Sequence, residues 1–453
     1  MRRKIPRNCC PFILEPRTRK LQANDRKHEA NVSSYYQAQE NSSFLSESAW
    51  SEGVDAHLSQ ILLNYLFEDN SDVNFEKFLE PLLYVTRGSE DEKITAVYKM
   101  LSAGSKEIKL SAIHEYVEHI FTSYMETYRS KKTRNFESWK VGQNIIIQSD
   151  QLQALVKHLC KDLPVCSEVS LSDLTTWVTS WNLLFTILQK VVFNKIYNIL
   201  DEDTMERYNT IPFWNRIISD KSPSVLTWPS IVFLNAGLPS KLQSEWRLLF
   251  STVAHGESFS KLIGCIMNKG PTIVIVRDRD GHVFGGFAPS SWTLSPNYVG
   301  DDSSFLFSIL PVMERFEPTG YNDHYQYLNV QQQTLPNGLF SSEQKTPRFS
   351  TTNLEGTEGM GGQHNYFGFW LDAEFGSGHC SETCTTYRNY HMLSAQKCFQ
   401  IEHVEAWGVG PEPEVEEESK GRSVLDTQTE ARAVMEMAGK VQYSDGYREP
   451  EED

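Results

Sequence analysis

His114-Glu115-Tyr116-Val117-Glu118-His119 puts two imidazoles and two carboxylates into one short stretch. A zinc-protease helix spaces its histidines four apart so that both face one metal. Here they are five apart, which turns one roughly 140° from the other on a helix of 3.6 residues per turn, so the stretch reads as a solvated helix face. Glu68-Asp69-Asn70-Ser71-Asp72 and Ser105-Lys106-Glu107-Ile108 sit between helical stretches, as calcium loops do. Neither has the loop glycine and the closing bidentate glutamate in place, so they read as a degenerate EF-hand-like pair kept for packing. His379-Cys380-x3-Cys384, with Cys398, contains metal-ligand types. Structural zinc usually shows two close ligand pairs, and one loose pair reads as ordinary thiols in a loop. Gly359-Met360-Gly361-Gly362 has the composition of a phosphate cradle, but no Lys-Ser/Thr follows and no strand precedes it, so it reads as tight turning beside the next strand. Cys265, His255, His282, His324 and Asp323 are the types a Cys/His or Ser/His/Asp hydrolase uses, yet no spacing groups them. We assign no catalytic residue, no cofactor-binding residue and no metal ligand from these patterns.

The elements that position these residues follow from composition and periodicity. The chain has 453 residues, 43 Lys+Arg against 59 Asp+Glu, and a formal net charge of −16. At roughly 150 residues per domain, about three domains fit. A 40% hydrophobic fraction with 12% aromatics supplies ample core, which excludes a wholly disordered chain. The acidic balance argues against nucleic acid as a partner. Eight cysteines without paired spacing are too sparse for a disulfide scaffold, so free thiols in a reducing compartment are expected. No run of 18 apolar residues occurs, and Phe12–Leu14 is too short for a signal-peptide core. A cytoplasmic protein, free or on a cytosolic membrane face, is the expectation.

Residues 1–50 read as a disordered arm, with Arg2, Arg3, Lys4, Arg7, Arg17, Arg19 and Lys20 facing only Glu15 at its start. Residues 51–208 read as all-α. Leu58, Ile61, Leu62, Tyr65 and Leu66 show 3-and-4 spacing, as do Phe75, Phe78, Leu79 and Leu82, and further helical stretches lie near 91–102, 110–128, 148–161 and 170–200. In the last, Leu171, Leu174, Trp177, Val178 and Trp181 make one apolar face. Residues 223–410 read as α+β with mainly antiparallel strands. Thr272–Val276, an Asp280-Gly281 turn and His282–Phe287 make a hairpin; Phe305–Ile309, Tyr325–Asn329, Phe367–Asp372 and Val404–Val409 are further strands, while Glu245–Phe250 and Ser258–Met267 read as helical. Residues 340–358 lack periodicity and read as an inserted surface loop. Residues 411–453 hold 13 acidic and 5 basic side chains and carry one helix candidate: Thr427 and Glu430 form a capping box, Ala431, Val434, Met435 and Ala438 line one face, and Gly439 ends it.

Several ordered motifs carry a family resemblance. Trp246-Arg247-Leu248-Leu249-Phe250 with His255-Gly256-x-Ser258-Phe259, Val283-Phe284-Gly285-Gly286-Phe287-Ala288 with Trp292, Phe305-Leu306-Phe307-Ser308, Gly361-Gly362-x3-Tyr366-Phe367-Gly368-x-Trp370-Leu371 and Val404-Glu405-Ala406-Trp407-Gly408-Val409-Gly410 resemble the TLDc domain family. The resemblance implies a TLDc β-sandwich flanked by helices, no established catalytic residues and no cofactor. Gly320–Tyr325, Thr334–Leu339 and Gly359–Tyr366 resemble one branch of the family. That branch implies a non-enzymatic adaptor, with the vacuolar proton ATPase, mTOR and the lysosomal membrane surface as partners. Relatives in that branch begin Met-Gly and are N-myristoylated, whereas this chain begins Met1-Arg2, so the myristate does not carry over. Cys9 and Cys10, beside the basic cluster, are the candidate lipidation sites, since one acyl chain plus basic residues can anchor a protein. Within this reading the 431–438 helix would dock through Val434 and Met435, with Ala431 and Ala438 allowing close approach. Two other functions are compatible with the residues: protection against oxidants through Cys265 or Cys398, and a Cys/His hydrolase.

Overall fold

In a computed structural model the described residues are 55–413, apart from 68–74, 103–104, 106, 141–148, 216–223, 296, 330–356, 364–365 and 373–374. The arm with Cys9 and Cys10, nearly all of the 340–358 loop, and the tail helix with Ala431, Val434, Met435 and Ala438 lie outside them.

The amphipathic spacing up to Tyr208 produces helices. α1 (Ala56–Phe67), α2 (Phe75–Arg87) and α3 (Glu90–Ser102) bury Leu58, Leu62, Tyr65, Leu66, Phe78, Leu82 and Val97. They pack with α4 (Leu110–Ser130), α5 (Arg134–Lys140), α6 (Ser149–Leu159), α7 (Leu171–Thr179), α8 (Leu183–Ile196) and α9 (Glu202–Arg207). Capping splits the apolar run 170–200 into two helices. Ser170 and Asp173 form a capping box at the start of α7, and the Asn182 side chain accepts from Phe185 N at 2.8 Å to start α8. Leu171, on the first turn of α7, is 53% exposed, so it leaves the apolar face predicted for it.

This half is not purely α. β1 (Ile108–Lys109) and β2 (Glu168–Val169) pair antiparallel, Ile108 opposite Val169, tying the loop before α4 to the loop before α7. Two-residue strands leave no periodicity in a sequence, which is why they escaped notice.

The second half is a sandwich whose strands are mostly antiparallel. β3 (Phe213–Trp214) runs parallel to β4 (Glu245–Ser251). Between them lies α10 (Trp228–Gly237), a helix the sequence reading missed because residues 228–235 are all buried, leaving no polar face to set a period. Glu245–Phe250, expected to be helical, is instead the strand β4. It is buried on both faces, and such a run cannot be told from a buried helix by pattern alone. Short α11 (Thr252–His255) and α12 (Phe259–Ile266) follow.

β5 (Thr272–Asp278) and β6 (Val283–Ala288) form the predicted hairpin, with Gly281 at φ +85° in its turn. β7 (Phe305–Leu310) and β8 (Glu314–Phe316) extend one sheet, and β9 (Tyr327–Asn329), β10 (Thr357–Gln363), β11 (Tyr366–Leu371) and β12 (Ser377–His379) form the other. β13 (Cys398–Val409) belongs to both: its start pairs with β12, and the rest lies between β4 and β5. Thr357 and Glu358, expected in the inserted loop, open β10 and pair with Asn329 and Leu328 of β9. The Gly359–Gly362 run is therefore part of a strand, not a turn beside one. A Cβ on Gly359 would meet the Trp370 ring at 2.5 Å, so the glycine lets β10 lie flat against that indole.

The first sheet is buried on both sides. Ile273, Ile275, Phe305, Phe307 and Trp407 face the helical half, while Val274, Val276, Leu306, Val404 and Ala406 face the second sheet. Alternation along each strand puts successive residues into different cores, which explains the uninterrupted apolar run Thr272–Val276. Within the sandwich Trp246, Phe250, Phe284, Phe287, Phe307, Phe367 and Trp370 are all buried. At the junction Trp139 of α5 lies with its ring centroid 5.1 Å from Trp214, 6.1 Å from Trp228, 6.3 Å from Trp246 and 5.5 Å from Trp407. Trp139→Ala is expected to cost about 3–5 kcal/mol in urea unfolding, against less than about 0.5 kcal/mol for Leu183→Ala, which is 73% exposed.

Candidate functional site

Among the described residues, polar clusters lie at the seam between the two halves, at the β12–β13 edge and at the start of α1. At the seam stands Glu405, 1% exposed on β13. Its carboxylate accepts from Ser224 Oγ (2.8 Å), Val225 N (3.0 Å) and Trp407 Nε1 (2.9 Å), and His403 Nε2 lies at 3.2 Å. Gln151 of α6 continues the network, accepting from Thr227 Oγ1 (2.6 Å) and donating to Val225 O (3.1 Å). A buried carboxylate is tolerated only when its oxygens are this well supplied with donors.

Ser251, His403 and Glu405 look like a serine triad but do not have its wiring. Ser251 Oγ (3.4 Å) and Glu405 Oε1 (3.2 Å) both contact His403 Nε2. A triad needs the nucleophile and the acid on opposite ring nitrogens, so that one proton is passed and the other held. The hydrolase candidates from the sequence are likewise dispersed. His255 stacks on Phe250 and bonds the Ser251 backbone, His282 pairs with Asp278, and His324 stacks on Tyr298. Cys265 is half-buried, and burial pushes its thiol up.

At the β12–β13 edge the structure brings His379 and Cys398 together, with Sγ 3.2 Å from Nδ1, and adds Asp372, whose Oδ2 is 3.3 Å from Nε2. Cys380 and Cys384 do not join them; they lie in the loop between β12 and β13, as expected, but are not solvent-facing. Both pack against the core between the sheets, with their thiols pushed up by burial. Asp372 was not singled out in the sequence, because its nearness to His379 comes from the β11–β12 turn and no spacing motif announces it.

Near α1, Asp55 Oδ1 lies 3.4 Å from His57 Nδ1 and 3.1 Å from His119 Nδ1. These are the donors among the described residues that could hold a metal ion, all within 4.8 Å of one another. Asp55 Oδ1 also accepts from His57 N at 2.9 Å and so caps α1, and the two rings stack at 4.8 Å. His119 is thus turned to Asp55, while His114 lines a separate cleft with Cys166 and Glu168, as their five-residue spacing requires.

A cleft of about 330 Å³ opens where the halves meet, lined by His158, Lys161, Phe233, Arg315, Glu317 and Arg388. Burial, with help from Lys161, pushes the His158 imidazole down to about 4. Arg247 of β4 is fully buried, and its guanidinium lies 3.6 Å from Glu412, a carboxylate also 3.8 Å from Lys269. A buried guanidinium requires such a countercharge, so the chain just beyond β13 is tied to the sandwich.

The TLDc domain family profile matches residues 219–410. The chain belongs to the TLDc domain family. It is 48% identical over 392 residues to the mTOR-associated protein MEAK7 of Danio rerio, covering 84% of this chain and 80% of that protein. It is 37% identical to the Gallus gallus protein of that name over 394 residues (83% and 79%) and 34% identical to that of Homo sapiens over 402 residues (85% and 82%). Nuclear receptor coactivator 7 of Homo sapiens shares 30% identity over 172 residues, 38% of this chain and 15% of that one.

Two outcomes test the seam. Glu405→Gln keeps the shape but leaves a single acceptor oxygen facing several donors, and is expected to cost roughly 1–3 kcal/mol in denaturant unfolding. His158 binds its proton less readily folded than unfolded, so its contribution is intact above the ordinary value of 6.5 and lost as pH falls towards about 4. Comparing His158→Gln with the wild type across that window should recover part of the acid loss, on the order of 2 kcal/mol.

Proposed function

We propose that this protein is a non-enzymatic adaptor at the cytosolic face of the lysosomal membrane, which binds the vacuolar proton ATPase and supports mTOR recruitment and signalling there. The observation that carries this reading is the extent of the kinship: similarity to the mTOR-associated relatives runs over 392 residues, through the helical half and the sandwich together. Those relatives bear names of association, none of an enzyme. One hydrophobic core runs from α1 through the junction tryptophans to β13, which suits a platform that presents both halves in a fixed arrangement.

The segments Glu68–Asp72 and Ser105–Ile108 act, in this reading, as a degenerate EF-hand-like pair retained for packing, without calcium. The 431–438 helix gives a second, tethered contact, and a tether raises avidity through effective concentration without altering either interface. Cys9 and Cys10 beside the basic arm provide a membrane anchor. No helix among the described residues is long and apolar enough to cross a membrane.

The test is binding of the full-length protein, and of a version ending at Pro413, to intact vacuolar ATPase. Stopping at Pro413 retains Glu412 and so leaves Arg247 its countercharge. The full-length protein is expected to bind, and the shortened protein, or Val434→Asp with Met435→Asp, to bind about tenfold more weakly. Equal binding by all three would remove the tail helix from the interface; absence of binding by the full-length protein would overturn the adaptor reading.

A further inference from the structure

Cys398 opens β13 directly opposite His379 of β12 in an antiparallel register. Directly opposed residues project from the same face of a sheet, so the pairing itself sets the thiol beside the imidazole, Sγ to Nδ1 at 3.2 Å. The far ring nitrogen meets Asp372 Oδ2 at 3.3 Å, and that carboxylate is fixed by Ser377 Oγ at 2.6 Å. Sulfur and carboxylate contact opposite nitrogens. One metal ion cannot bridge them, whereas a proton can move between sulfur and ring while the carboxylate holds the other N–H. The hydrogen bond that His379 donates to Asp372 raises the His379 pKa against the opposing effect of its burial. Asp372 is itself pushed up by burial but brought lower, on balance, by its bonds to His379 and Ser377. Beside the thiol, Lys397 is engaged by Glu382 at 3.2 Å, and Cys380 is buried.

We propose that Cys398 is a reactive modification site, a nucleophilic thiol activated by His379 and oriented through Asp372, whose substrates are small soluble disulfides. Cys398 stands exposed at a strand end, where a small disulfide in solution can reach its sulfur. The Cys398 thiol proton passes to His379 Nδ1, and the resulting thiolate attacks one sulfur of the disulfide R–S–S–R. A Cys398–S–S–R bond forms, the original S–S bond breaks, and the departing RS⁻ takes the proton from His379 to leave as RSH. The disulfide is the oxidant, and one thiol is released for each one consumed. The proposal does not rest on the adaptor reading, so its failure would leave that reading standing.

The full-length protein itself supplies the controls. Cys166 is also exposed, with its sulfur on the Glu168 carbonyl at 2.8 Å, and Cys160 is buried with its thiol pushed up to about 12. The protein is incubated with glutathione disulfide between pH 6 and 8, and occupancy at each cysteine is followed by peptide mass spectrometry. Cys398 is expected to react about tenfold faster than Cys166 at the acid end, where an unassisted thiol is almost wholly protonated. His379→Gln should bring Cys398 down to the Cys166 rate, and Asp372→Asn should shift its pH–rate profile while leaving Cys166 unchanged. Continued protection of Cys160 reports that each variant is folded. Equal rates at Cys398 and Cys166 in the wild type would overturn the proposal without recourse to any variant, and so would a Cys398 rate indifferent to both substitutions.

Discussion

A carboxylate taken out of water has to be surrounded by donors, and the way Glu405 is surrounded sets how the two halves of this protein meet. Ser224 and Val225 reach it from the segment leading into α10, and Trp407 and His403 reach it from its own strand. Gln151 extends the same network to α6. Removing either side would strand a charge in a low-dielectric junction, which costs far more than an ordinary hydrogen bond contributes. The tryptophans around Trp139 close the junction with apolar surface, and the polar staple fixes its registration. The helical half is thereby built onto the sandwich rather than strung beside it.

β13 makes this possible because its two faces do different work. Glu405 and Trp407 point to the helices; Val404 and Ala406 point to the second sheet. Its early residues pair with β12 and its later ones with β4 and β5, so one strand links both sheets and the helical layer. Both the seam and the Cys398–His379 pair depend on this strand, at opposite ends of it. A platform organised in this way suits a protein whose kin are known by association with mTOR, and a reactive thiol at the edge would add chemistry without disturbing the junction.

The polar clusters also show how much arrangement matters when residue types are the same. Ser251–His403–Glu405 and Cys398–His379–Asp372 each unite a nucleophile, an imidazole and a carboxylate. In the first both partners crowd one nitrogen and the group is structural. In the second they take opposite nitrogens and a proton relay results. Burial separates them further, since the first lies in the seam and the second at the surface.

Periodicity alone marked α1 to α4, α6 and the stretch that holds α7 and α8, because each has an apolar stripe against a core and a polar face to reveal the period; α5 and α9, of seven and six residues, were too short to show one. It also marked the β5–β6 hairpin, through an Asp-Gly turn between apolar runs. The ordered motifs from Trp246 to Gly410 were enough to place the chain in its family. Elements buried on every side were not legible: β4 read as a helix and α10 was passed over, since a segment without a polar face carries no period. The two-residue strands β1 and β2 were too short to leave a pattern. The site residues divide in the same way. His379 and Cys398 were visible as types 19 positions apart, and Glu405 only as part of a motif. That Cys398 opposes His379, that Asp372 turns back to the ring, and that Glu405 faces Ser224 were decided by strand register and layer packing. Those are long-range properties, set where distant segments meet, and local sequence does not encode them.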